Sequence, residues 1–341
     1  MLLKRFQKNK LNFKFFVFEL TPKCNHDCIY CYNVWRHGRY PEGEIGVESW
    51  EKIITKLKKE TKFKMVAFSG GEPLLDPKIF DILQVLKKYR INTNLITNGS
   101  LMSEEFARRF VKGKISIFEF SLVAPNREDH KRIKGVDDFD KVVEGIANVK
   151  KAGGRIITVF VATNKNIHLL KDTLDLSIFL GSDGMMFNRI NPACKEHIEL
   201  MPTDVQIKEA LEFLDGFVGK FKFPISVSIP IQPCVIDMKK YSNLSYGYCP
   251  SGNERSYYTI DFLGNVRICN HSPEILGNLL EEDFAEIIKN SYVEEFKKVL
   301  PKECSGCEHL NECRGGCKAS SEVCYGCLSK VDPFVEAYGP F

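Results

Sequence analysis

From Phe13 to about Pro192 six short strand-like runs alternate with amphipathic stretches, and this alternation limits the available folds more than any other feature. Strands are expected at 14–20, 65–69, 93–97, 115–122, 155–162 and 184–190, most of them short and rich in Val, Ile and Phe. Helices are expected at 50–59, 79–89, 104–111, 139–152 and 169–180. In the fourth of these, Val142, Val143, Ile146 and Val149 recur at helical spacing, and Gly153-Gly154 ends the run. Parallel neighbours need a crossover between them, so six such units in series imply a parallel sheet with outer helices. In barrels of this kind the chemistry gathers at the C-terminal ends of the strands. The unusual residues fall there: a cysteine-rich loop after strand one, Ser69-Gly70-Gly71-Glu72-Pro73 after strand two, and Thr97-Asn98-Gly99 after strand three. Ser121 closes strand four, Asn164 follows strand five, and Asn188, Arg189 and Asn191 close strand six.

A chain of 341 residues, 44% of them hydrophobic, can bury a large core and carry a smaller domain as well. A helix at about 203–218, with Thr203 as its N-cap, and a strand at 223–229 lead to a change of composition. Cysteines become dense from Cys249 onward, and helical periodicity persists only at 283–298. The expected organisation is a lead-in at 1–12, a barrel at 13–231 and a cysteine-rich domain at 232–341. The net charge of +4 forms no dense basic stripe, which argues against a nucleic-acid partner. No apolar stretch is long enough to span a membrane, and residues 1–14 are too charged for a signal peptide. A cytoplasmic protein is expected. Thirteen cysteines without a secretion signal point to metal rather than to disulfides.

Three of those cysteines, Cys24, Cys28 and Cys31, stand as C-x3-C-x2-C in the first loop. Each iron of a four-iron, four-sulfur cluster wants one ligand, so three thiolates leave one iron open to a small chelating molecule. A zinc site is the alternative. Zinc wants a fourth protein ligand nearby, and His26, lying between the cysteines, would strain to supply it.

This spacing, with the aromatic Tyr30 just before the third cysteine, resembles the signature of the radical S-adenosylmethionine (SAM) superfamily. The resemblance implies an open, partial (β/α)6 TIM-like barrel. It implies a [4Fe-4S] cluster on Cys24, Cys28 and Cys31 whose open iron is chelated by the amine and carboxylate of SAM. It also implies one-electron cleavage of SAM to methionine and a 5′-deoxyadenosyl radical. Gly70-Gly71-Glu72-Pro73 matches the family's second motif, which holds the amino end of SAM, with Glu72 as the partner of the ammonium group. Asn98 and Ser121 correspond to further SAM contacts. Many relatives have Ser-Leu-Asp-Gly after strand four and an Arg further on; here Val123 replaces the Asp and Lys134 stands at the Arg position. Lys134 and Arg132 are both eligible to meet the SAM carboxylate.

The C-terminal cysteines carry a second resemblance. Cys249, Gly264 and Cys269 form C-x14-G-x4-C; Cys304-x2-Cys307-x5-Cys313-x3-Cys317 follows, and then Cys324-x2-Cys327. The pattern is similar to the SPASM domain of many radical SAM enzymes, which implies two auxiliary [4Fe-4S] clusters. By family logic Cys249, Cys269 and Cys317 serve the first, and Cys304, Cys307 and Cys313, with Cys327 or Cys324, serve the second. For the fourth ligand of the first, Cys324, Cys234 and an open iron compete. A pair of zinc ribbons is the alternative reading. Cys194 reads as a small buried apolar residue.

Relatives with SPASM domains mostly crosslink, oxidise or otherwise modify ribosomally made peptides and proteins, and a peptide is the expected substrate. The alternative is a tetrapyrrole of haem-related pathways, decarboxylated or stripped of a side chain. A non-catalytic iron–sulfur electron carrier is a lesser alternative. Only a dozen residues precede strand one, so a separate leader-peptide-binding partner is expected, together with an electron donor of flavodoxin or ferredoxin type. Sulfatase-type maturases often have Asp after the second SPASM cysteine, where this chain has Asn270. Arg189, with Arg132 or Lys134, is expected to offer positive charge to substrate carboxylates at the barrel mouth.

Overall fold

The computed structural model describes residues 10–37, 40–251 and 256–341. Its strands are β1 (Phe15–Glu19), β2 (Met65–Ser69), β3 (Asn92–Thr97), β4 (Ile115–Ser121), β5 (Ile156–Ala162), β6 (Met185–Arg189), β7 (Ile225–Val227), β8 (Ser245–Tyr246), β9 (Tyr258–Ile260), β10 (Asn265–Arg267) and β11 (Gly277–Asn278). They form one sheet in the order β11-β10-β9-β1-β2-β3-β4-β5-β6-β7-β8. From β1 to β8 every pairing is parallel. The six expected barrel strands match β1 to β6 to within one residue at each end; β1 and β2 are almost wholly buried and apolar, whereas β3 and β4 alternate buried with less buried residues.

The crossovers carry α1 (Val47–Glu60), α2 (Ile79–Lys88), α3 (Glu104–Lys112), α4 (Arg127–Lys134), α5 (Phe139–Lys151) and α6 (Leu170–Phe179), and α7 (Asp204–Phe221) follows β6. All but the almost wholly polar α4 bury an apolar face. Trp50 of α1 stacks on Phe18 of β1 at 4.8 Å between ring centroids, and Phe16 meets Phe63 edge-on at 5.0 Å. Phe16, Phe18 and Trp50 are wholly buried, and burying each Phe contributes roughly 1.5–3 kcal/mol. A capping box between Thr203 and Gln206 starts α7 where expected. Among the described residues no helix is long and apolar enough to cross a membrane.

Beyond β6 the structure departs from expectation. The strand expected at 223–229 is only Ile225–Val227, and the helix expected at 283–298 is two helices, Phe284–Ile287 and Ser291–Lys298. Asn290 caps the second by accepting from Tyr292 N–H, which ends one helix and starts the next. The antiparallel pair β9–β10 adds to the free edge of β1, with β9 parallel to it, so the cysteine-rich region extends the barrel's own sheet.

Two buried ion pairs fasten this region to the barrel. Glu19, the last residue of β1, pairs with Arg267 of β10, and Arg189, the last residue of β6, meets Asp332 at 2.8 Å. All four side chains are essentially without solvent exposure. Removing one member of such a pair costs roughly 3–5 kcal/mol, because its partner is left charged and buried.

Candidate active site

The loop carrying Cys24, Cys28 and Cys31 is held by backbone from both sides. Asp27 N–H donates to the Lys134 carbonyl at 2.9 Å and Ile29 N–H to that of Ile133 at 3.0 Å, which fixes the loop on the end of α4. On the other side, Gly71 N–H donates to the Thr21 carbonyl at 2.8 Å and Glu72 N–H to that of Lys23 at 2.7 Å. A Cβ on Gly71 would stand 2.1 Å from the Lys23 carbonyl oxygen, and one on Gly70 2.5 Å from that of Thr21. The glycines therefore let two loops close on each other.

The three thiols line one cleft at the C-terminal ends of β1 to β4. Tyr30, Gly70 and Gly71 share its wall, as do Asn98, Ser121 and Lys134. Lys134 is 1% exposed, with Nζ 5.7 Å from the centre of the Tyr30 ring. Burial lifts the Cys28 thiol above its ordinary range, and the Lys134 ammonium works against that shift by favouring thiolate. Nδ1 of His26 is buried in this wall without a hydrogen-bond partner, and the buried hydroxyl of Tyr30 lies against the Cys28 thiol. Arg132, the other basic candidate, is paired with Asp129 on the outer side of α4 and is not part of the cleft.

Glu72 does not line the cleft. Its side chain is wholly buried behind it, with Oε1 accepting from Leu74 N–H at 3.1 Å and Thr97 Oγ1 at 2.8 Å, and Oε2 from Asn98 N–H at 2.7 Å. Burial lifts its pKa to about 7, against the pull of those three donors. The expected ammonium partner is thus a brace between the β2 and β3 loops. Asn98, held by it, lies in the wall and donates to Asn25 Oδ1 at 2.8 Å.

Sequence reasoning missed one group here. His26 and His130 both donate from Nε2 to Asp138, at 2.8 and 2.9 Å, which anchors the cysteine loop to α4 and to the start of α5. Burial, with Lys134 nearby, drives His26 down to about 4, so the ring is neutral. The three residues are too scattered along the chain to announce themselves.

The C-terminal thiols fall into two sets. Cys249, Cys269 and Cys317 act on one another electrostatically, and burial raises the Cys269 thiol above its ordinary range. Asn191 donates to Cys317 Sγ at 3.4 Å, and Asp332 accepts from Cys317 N–H at 3.0 Å. The second set shares a small enclosed cavity: Cys304, Cys307 and Cys313, joined by Cys234. Neither Cys327 nor Cys324, the residues expected to complete it, lines that cavity. Cys324 is buried and donates toward the Cys194 carbonyl at 3.4 Å, and Cys327 lies against Ser329. Both belong to the short segment after Cys317, whose helix Lys318–Tyr325 carries them away from the cavity.

A zinc ion bound at about 2.3 Å draws its thiolates to within about 4 Å of one another. Among the described residues, none of these cysteine sets has three ligand atoms within 4.8 Å.

The basic mouth also differs from expectation. Arg189 is 1% exposed and is consumed by Asp332 and by the carbonyls of Pro230, at 3.0 Å, and Ile190, at 3.2 Å. It is a structural cation and does not face a substrate.

A family model described as the radical SAM superfamily matches residues 18–177, and one for an iron–sulfur cluster-binding domain, SPASM, matches residues 249–308. The AdoMet-dependent heme synthase of Methanosarcina barkeri is 24% identical over 337 residues, covering 93% of this chain and 94% of that protein. The PqqA peptide cyclase of Bradyrhizobium diazoefficiens is 24% identical over 329 residues, covering 92% and 84%. Among solved structures, SuiB of Streptococcus suis bound to its precursor peptide SuiA superposes with a TM-score of 0.72 at 15% identity, over 95% of this chain and 76% of SuiB. The chain belongs to the radical SAM superfamily and has a C-terminal SPASM region; it is an enzyme whose cofactors are a [4Fe-4S] cluster, S-adenosylmethionine and auxiliary iron–sulfur clusters.

Proposed function

We propose that the enzyme modifies a ribosomally made peptide, held between the cleft of Cys24, Cys28 and Cys31 and the Cys249–Cys269–Cys317 set. The observation that carries this reading is the bridge between the two. Tyr32 lines the cleft, and its hydroxyl accepts from Asn270, the neighbour of Cys269, at 2.9 Å. The three loop cysteines would hold the SAM-binding cluster. The buried His26 ring nitrogen without a partner in the same wall fits a site built for a polar ligand. When bound, the cluster and SAM together supply a carbon radical able to abstract hydrogen.

The chain's own residues do the positioning. Lys134 offers a desolvated cation to the SAM carboxylate, Tyr30 and the Gly70-Gly71 turn shape the cleft, Ser121 and Asn98 line it, and Glu72 holds the Asn98 loop in place. Cys249, Cys269 and Cys317 would hold the first auxiliary cluster, and Cys304, Cys307 and Cys313 with Cys234 the second. Electrons would arrive from a flavodoxin- or ferredoxin-type donor, a leader-binding protein would present the peptide, and a reducing, cytoplasmic compartment would suit the thiolates.

The peptide cyclase and the peptide-bound SuiB support a peptide substrate. A tetrapyrrole is the second reading, favoured by the heme synthase, which aligns over nearly its whole length. Geometry weighs against it: of the three cations expected to meet substrate carboxylates, Arg189 is paired with Asp332, Arg132 with Asp129, and Lys134 lies in the cleft. Anaerobic incubation with SAM, reductant and either candidate precursor peptides or porphyrins, followed by mass spectrometry, separates the two. A mass change on a peptide alone is expected. Loss of carbon dioxide or of a side chain from a porphyrin, with peptides untouched, reverses the assignment.

A further inference from the structure

We infer that His37, Cys194 and His197 form a site for a single zinc-like divalent cation, distinct from the iron–sulfur sites. One ligand atom from each lies within 4.8 Å of the other two, the closest approach of three such atoms among the described residues. Bonds of about 2.0–2.3 Å to one zinc ion hold ligand atoms within about 4 Å of one another, so small side-chain rotations complete the coordination. Among the described residues, none of the cysteine sets meets the 4.8 Å distance.

Local structure brings the three together. Cys194 is the N-cap of a 3-10 helix, Lys195–Leu200, and His197 follows three residues later. Residues three apart eclipse on such a helix, so this Cys-x2-His pair shares one face. His37 comes from the other side of the mouth, just past the short helix Val34–Arg36 that follows the cysteine loop. The two imidazoles meet edge-on, with centroids 5.1 Å apart and planes at 84°.

The protonation pattern suits a metal. His37 Nε2 lies 2.8 Å from the Cys31 carbonyl, which can only accept, so Nε2 carries the proton and Nδ1 keeps a lone pair. A ligating histidine is commonly oriented through its other ring nitrogen in this way. His197 Nδ1 accepts from Ala193 N–H at 3.4 Å, so its lone pair is also on Nδ1, in a bond long enough to give up cheaply. The exposed Glu196 carboxylate meets the Cys194 thiol and is placed to supply a fourth ligand. One thiolate and two imidazoles prefer zinc to magnesium or calcium. The ion would tie the segment after Cys31 to the loop after β6, fixing the rim of the cleft from outside.

The test uses the full chain, reconstituted anaerobically with iron and sulfide, given one equivalent of zinc, gel-filtered, and analysed for both metals. About one zinc per chain should be retained with iron unchanged. Cys194→Ala and His197→Gln should each hold zinc at least ~10-fold more weakly in competition with a chromophoric chelator, at wild-type iron content. His37→Gln should weaken it as well. Iron content shows that each variant has folded and loaded its clusters, so the result does not depend on the SAM reaction. Failure of the wild type to retain zinc, equal retention by the variants, or loss of iron from Cys194→Ala would each overturn the site.

Discussion

Replacing Cys234 discriminates most sharply between the ligand set drawn from the cavity and the one suggested by cysteine order. Cys234 follows β7, seventy residues before Cys304, yet it lines the cavity with Cys304, Cys307 and Cys313 and acts electrostatically on three of these thiols in turn. Three four-iron clusters imply about twelve irons per chain. Cys234→Ala removes one of four thiolates from one cluster, so its iron falls to about eight if that cluster is lost, or to about eleven if a three-iron form survives. Cys327→Ala removes a thiol outside the cavity and leaves about twelve. Both variants are reconstituted anaerobically and assayed for iron and sulfide, and electron paramagnetic resonance reveals any three-iron form. The reasoning fails if Cys327→Ala loses a cluster while Cys234→Ala keeps all three.

Gly71→Ala should cost roughly 1–3 kcal/mol in denaturant unfolding and displace the cysteine loop, because its Cβ falls 2.1 Å from the Lys23 oxygen; an unchanged midpoint contradicts this. Glu72→Gln keeps the two bonds on one oxygen but sets an N–H against Asn98 N–H, so stability should fall by about 1–3 kcal/mol and SAM binding should weaken; weaker SAM binding with unchanged stability would restore Glu72 to the cleft. His26, held down near 4 in the folded state, contributes stability that is present above the unfolded value of about 6.5 and lost as pH falls toward 4, on the order of 2–3 kcal/mol. His26→Gln should flatten the anaerobic melting temperature over that window, and an undiminished slope would assign the acid lability to other groups.

The barrel was legible because short strand-like runs rich in Val, Ile and Phe recur between amphipathic helices, and the cleft because its residues close those strands. What escaped reading lacked a local signature. Helix α4 is eight residues, seven of them polar or charged, and shows no apolar stripe. Strands β8 to β11 have two or three residues each, too few for a period. Cys234 is solitary in sequence and joins the second set only through folding. Glu72 and Arg189 were recognised as special, but residue type does not reveal direction: Glu72 points behind the cleft, and Arg189 points to Asp332, 143 residues away. At Gly70-Gly71 the structure brings in the backbone of the cysteine loop, a partner that the local sequence does not reveal.

The central claim is that Cys24, Cys28 and Cys31 build the catalytic centre and that the remaining clusters stand apart from it. It is tested most directly by counting 5′-deoxyadenosine released from SAM under a strong reductant, wild type against the triple Cys24→Ala, Cys28→Ala, Cys31→Ala variant. The wild type should release it, and the triple variant should release none while retaining about eight irons in its auxiliary clusters. Release by the triple variant, or none from a wild type loaded with about twelve irons, would contradict the account.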